Sequence, residues 1–214
     1  LRLASPHLLM SDPLSRRARS LYERAVRSET DECWQEAFDA AEMAADLRPD
    51  DAEMSFLAGL CAYNSENGDA THRHLVNAMA LDPDHAFARL YLGHQLFDEE
   101  RYLEAEESFR QVEADEFLAL DQHWRALKLT ELHLCCRFYL GETVFLEETV
   151  ALVERYRQSE VDEKALPIEI VECLASLDLS ADYLLRRHAR VILSLARNEE
   201  LYDHAARLSR QLEN

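Results

Sequence analysis

The 214-residue sequence predicts an all-α chain of stacked antiparallel helix pairs. Three observations predict it. Glycine occurs only as Gly59, Gly68, Gly93 and Gly141, beside five prolines, and sheets need more turns than that. Leu, Ala, Glu and Arg, all good helix formers, dominate the composition. Under a shift of 34 residues the chain overlies itself, so that LRPDDA at 47–52 matches LDPDHA at 81–86.

Small residues carry the register. Ala25, Gly59 and Gly93 form one column, Ala44, Ala78 and Val112 a second, and Ala37, Thr71 and Ala105 a third. Pro49 and Pro83 share a column that Phe117 continues. Two closely crossing helices require small residues at one depth, because a large side chain holds their axes apart. A proline after an Asp- or Arg-containing corner closes one unit and opens the next. A second self-match pairs DEERYLEA at 98–105 with NEELYDHA at 198–205.

On these residues the unit resembles the tetratricopeptide repeat. The resemblance implies a right-handed α-α superhelix of helix pairs, with small residues at each crossing and proline at the closing corner. Both octets occupy the family's corner between paired helices, with Tyr102 and Ala105 in one copy and Tyr202 and Ala205 in the other. CWQEA at 33–37 is a third version, with Trp34 in place of the Tyr. Residues 18–117 form three such repeats, departing at SENGDATHRH (65–74), where Thr71 replaces the small Ala.

Element by element, the register predicts helices at 14–28, 31–47, 51–64, 68–81, 85–98 and 101–114. Residues 118–157 form a degenerate fourth repeat, whose first helix is long, 116–140, followed by 142–157. QSEVDEKALP is a connector, and IEIVECLASL forms one short helix at 166–177. The second octet places a last pair at 181–197 and 200–213, so that 158–214 holds C-terminal helices with one further repeat-like pair. Residues 1–17 form an N-terminal extension without an initiating Met or an apolar signal core, the start of a trimmed or fragmentary chain.

The formal charge of −19 argues against nucleic acid and against anionic membrane surfaces, both of which demand clustered basic residues. Cys33, Cys61, Cys135, Cys136 and Cys173 are odd in number and irregular in spacing, which fits buried free thiols in a reducing, cytoplasmic compartment. No apolar run reaches a membrane span. The segment FLALDQHWRALKLTELHLCCRFYLGE (117–142) is apolar on more than one face. Either later helices of the chain or a second chain must cover it, and wrapping by the later helices is the expectation.

In the stack the resemblance implies, the first helix of each pair lines a concave groove. The register then gives four columns on that wall: Tyr22, Phe56, Leu90 and Trp124; Val26, Leu60, His94 and Lys128; Glu29, Tyr63, Phe97 and Glu131; and Arg19, Glu53, Phe87 and Asp121. An aromatic centre with a charged rim is the anatomy of a protein-binding surface. The candidate contacts are Tyr22, Phe56, Leu60, Tyr63, Phe87, Leu90, His94, Phe97 and Trp124, and the competing assignment for such rings is the core. Repeat proteins of this family that grip a C-terminal carboxylate do so with groove Lys, Arg and Asn. Here those places hold mainly Tyr22, Val26, Leu60 and Tyr91, with Asn64 the one polar match, so that mode is rejected.

Catalytic patterns are wanting. There is no phosphate loop, HExxH or CxxC. His72 and His74 stand two apart on a helix, unable to share a metal, and are assigned to solvent. Cys135–Cys136 is assigned to buried packing, and Glu147–Glu148 to a solvated face. The expected function is therefore non-catalytic and needs no cofactor: an adaptor, scaffold or chaperone holding an apolar peptide or amphipathic helix of another protein. The small acidic chaperones of bacterial secretion systems are one cousin by fold and charge. The alternatives are a regulatory or substrate-docking domain of a larger enzyme, and a scaffold that homo-oligomerises through the ends of the stack.

Overall fold

A computed structural model describes residues 12–142, 146–158 and 168–175, with single positions at 190 and 210. Every element among them is a helix. By its contacts the chain divides into two compact units, Leu1–Glu100 and Arg101–Asn214.

The first unit holds α1 (Pro13–Ser28), α2 (Asp31–Leu47), α3 (Ala52–Asn64), α4 (Gly68–Leu81) and α5 (Ala86–Asp98). Each begins where a side chain takes up amide groups that the first turn leaves unpaired. Asp12 accepts from the amides of Leu14 and Ser15, and its bonds from the Ser15 hydroxyl and amide hold its carboxyl down to about 2. Thr30, Asp51 and Asn67 cap α2, α3 and α4. His85 caps α5, its Nδ1 accepting the Ala88 amide at 3.2 Å. Asp51 and His85 lie 34 apart, so one register position serves two caps with different chemistry.

Consecutive helices pack on one another, and α3 also meets α1 and α5. That central place explains why Met54 through Ala62 are buried without a break. All nine residues of the three small columns are buried, from Ala25 to Val112. Gly59 shows why: a Cβ there would lie 2.7 Å from Leu75 Cδ2 and 3.2 Å from the Leu75 amide nitrogen. Thr71 fits an alanine column by donating its hydroxyl to the Asn67 carbonyl at 2.8 Å.

Several helices end on left-handed residues. Glu29, Glu66, Glu100 and Asp121 have φ between 52° and 59°, and Gly141 has φ 87°. At three of these corners the helix closes in a Schellman motif. The amides of Asn67, Gln122 and Glu142 bond the carbonyls of Ala62, Phe117 and Arg137.

In the second unit are α6 (Tyr102–Phe109), α7 (Ala114–Ala119), α8 (His123–Tyr139), α9 (Leu146–Gln158) and α10 (Ile168–Ala175). The expected long helix at 116–140 is two helices, α7 and α8. Asp121 is left-handed between them, and Gln122 returns its amide to Phe117, so the chain turns inside an apolar run. The helix expected at 101–114 stops at Phe109, the chain turning over Arg110–Val112. As expected, α8 is wrapped by its own chain: α6, α7, α9 and α10 all pack on it. The pair predicted at 181–197 and 200–213, with the second octet, lies outside the described residues, as does most of 1–17. Among the described residues no helix is long and apolar enough to cross a membrane.

Candidate binding faces

In the first unit, rings of α3 and α5 form a continuous run. Phe87 meets Phe56 at 5.9 Å between centroids, and Phe56 meets Tyr91 at 6.1 Å. Tyr91 meets Tyr63 at 5.9 Å and His94 at 5.4 Å. Tilted and edge-on arrangements such as these suit the ring quadrupoles. The interlocking places the anticipated residues at different depths. Tyr22, Phe56, Leu60 and Leu90 lie in the core, 3 %, 1 %, 2 % and 0 % exposed. Tyr63, Phe87, His94 and Phe97 keep part of their surface open, as does Trp124 in the second unit, where the Arg125 guanidinium lies 4.3 Å over its ring.

Acidic groups flank the ring run. The Tyr63 hydroxyl donates to Asp98 Oδ2 at 2.7 Å. His85 lies tilted against Phe56 at 4.8 Å and points Nε2 towards Glu53 Oε1, 3.8 Å away. Burial pushes the His85 ring below the usual histidine value, against the pull of Glu53 and Asp82. A neutral ring is what its cap demands, since Nδ1 accepts a hydrogen bond only when it carries no proton. His85 and Asp98 were not among the anticipated site residues. The 34-residue step from Asp51 to His85 was the signal available for the first.

A second apolar strip lies on α2 and α4, where Met43, Leu47, Val76 and Leu81 are exposed. Beside it Asp46, Arg73, His74 and Asn77 line a cleft of about 510 Å³. The assignment of His74 to solvent is corrected. His72 is exposed, but His74 is 6 % exposed, edge-on to Phe38 at 6.3 Å and 3.5 Å from Glu42 Oε1. Two residues along a helix turn the side chain about 200°, which sends one ring outward and the other into the α2–α4 contact.

The second unit uses its central helix differently. Glu131, on α8, is 0 % exposed. Its Oε2 accepts from Lys128 Nζ at 2.9 Å and from the Tyr156 hydroxyl of α9 at 2.7 Å. Its Oε1 accepts from the Ile170 amide of α10 at 3.2 Å. Lys128 Nζ also lies 2.5 Å from Glu169 Oε2. Burial, with the neighbouring Glu169 charge, pushes the Glu131 carboxyl up to about 8, against the pull of Lys128. Burial opposes the charge on Lys128, but Glu131 and Glu169 outweigh it and raise the lysine. Burial also works against Glu169, and Lys128 outweighs it and lowers that carboxyl. Sequence columns marked Lys128 and Glu131 as rim charges; both are instead drawn in by groups that α9 and α10 supply.

Cys61, Cys135, Cys136 and Cys173 are buried free thiols, and burial pushes Cys61 and Cys136 up to about 12. Such thiols are poor nucleophiles. Among the described residues no group of three or more His, Cys, Asp or Glu side chains is arranged to hold a metal ion. No family model and no curated protein matches the chain.

Proposed function

We propose that this chain is a non-catalytic protein-binding module of the tetratricopeptide-like class, and that it holds an amphipathic helix or apolar peptide of a partner. The observation that carries the reading is the ring run of α3 and α5, open at Tyr63, Phe87, His94 and Phe97 above a packed floor of Phe56, Leu60 and Leu90. Aromatic anchors over a rigid floor supply contact area with little side-chain ordering still to be lost. Small residues at the crossings and contacts of α3 with both α1 and α5 support the repeat reading, and a right-handed superhelix is its natural extension. Glu53 and Asp98 beside the rings favour a guest with Lys or Arg next to its apolar residues.

The test is selection from a peptide-display library, followed by titration of the winners. Helical peptides with apolar residues at i, i+3 and i+4 are expected. Tyr63→Ala with Phe97→Ala should weaken them by at least about tenfold, roughly 1.4 kcal/mol, at unchanged helicity. Selected peptides that bind the double variant as well as the parent would show that the ring face is not the site.

A further inference from the structure

We propose that α10 is a releasable cover on α8, fastened where Glu131 and Lys128 hold its Ile170 amide and Glu169 carboxylate. The geometry carries this first. Glu131 takes the backbone amide of Ile170, and Lys128 reaches across to Glu169, so two of the bonds that hold α10 converge on two side chains one turn apart. Glu169 also shares a hydrogen bond with the Glu131 side chain. Two carboxyls therefore face one ammonium. With both ionised the buried cluster carries an uncompensated negative charge; with one proton retained it is neutral and fully bonded.

The other groups that face the cluster do not change this count. On α8 itself the Cys135 thiol lies one turn beyond Glu131, and α10 contributes Cys173 beside it. From α9 comes the Tyr156 hydroxyl, whose pKa burial raises further above the usual tyrosine value. The carboxylate of α6 that faces α8 is Glu106, and it meets His133 at 3.2 Å instead. On α7 the buried side chain is Phe117, while Asp115 and Glu116 are exposed.

The direction follows from linkage. Covered, Glu131 holds its proton to about 8; uncovered and in water, it returns towards the ordinary carboxyl value. Between those values the covered form binds one more proton, so rising pH favours release. The covered-to-released ratio falls nearly tenfold per pH unit in the middle of that window, about fiftyfold from pH 6 to pH 8, and levels off above roughly pH 9.

The readout is Cys173, buried on α10. Its labelling by a thiol reagent is measured on the full chain from pH 6 to pH 9, by mass spectrometry of the α10 peptide. Each rate is divided by that of the urea-unfolded chain at the same pH. Protection should fall with pH in the parent and stay level in Glu131→Gln, which mimics the protonated side chain. Flat protection in the parent, or a Gln variant that follows the parent, overturns the proposal. Should Glu131→Gln fail to fold, Glu169→Gln decides. It leaves one carboxyl for one ammonium, so the fall must shift to lower pH, and an unshifted profile rejects the cover.

Discussion

Tyr63 and Phe97 on α3 and α5 share a register column with Glu131 on α8, as Leu60 and His94 do with Lys128. In the first unit these positions carry apolar or aromatic groups, and the outer ones keep surface open. In the second they carry an ammonium and a carboxyl, buried by α9 and α10. One helix position has thus been put to two uses. Rings accept any guest of suitable shape, because apolar contact is not directional. A buried ion cluster accepts only an element that brings matching charges and amides, because every unmatched group there costs several kcal/mol. The first arrangement suits a face left for others, the second a face the chain keeps for itself.

The chain carries one tryptophan per unit, Trp34 and Trp124, so each unit can be followed separately after Trp→Phe substitution of the other. The sharpest break in the comparison is Phe56→Ala. It should cost about 3–5 kcal/mol in urea unfolding followed at Trp34, against less than about 1 kcal/mol for Phe97→Ala. Equal costs would erase the division between floor and contact residues.

Next in size is Lys128→Met, which strands two carboxyls and should cost about 3 kcal/mol at Trp124. Adding Glu131→Met and Glu169→Met should recover most of that loss, since no charge is then left without its partner. A triple variant no better than the single would mean that packing, not charge, sets the cost.

A smaller effect distinguishes the units by pH. His85 has a folded-state pKa below its ordinary 6.5, so its cap is fully in place above about pH 6.5 and is lost as pH falls through the folded value. The first unit should lose about 1 kcal/mol on acidification through His85, a share that His85→Asp, which copies Asp51, should abolish, while His74, which burial also pushes below the usual histidine value, keeps its own. The second unit responds in the opposite sense through Glu131. The same sign in both units would refute this assignment of protons. Smallest is Glu66→Gly. It relieves a left-handed backbone at φ 57° and should stabilise the first unit by about 0.5–1 kcal/mol.

Much of the helical order was legible in the residues. Helices α2 and α4 begin and end where the register places them, because Thr30 and Asn67 are strong caps and the small columns fix the crossings. The break between α7 and α8 was not legible. Its left-handed residue is Asp121 rather than glycine, and it sits within an apolar run that continues on both sides. Depth was equally hidden. A 34-residue step relates Phe56 to Leu90 and Glu53 to Phe87, but only the rings of His85 and Tyr91 decide that Phe56 lies beneath. Burial of Glu131 depends on an amide 39 positions later, which no local pattern announces.

The approach at Gly59 has a further consequence for how this chain can vary. With a Cβ there only 2.7 Å from the Leu75 side chain, the two positions cannot drift independently. A larger residue at 59 demands a shorter one at 75, and the amide at 3.2 Å bounds even that exchange. Position 59 is therefore tied to what stands at 75, and a library that randomises 59 while keeping Leu75 will recover little but glycine.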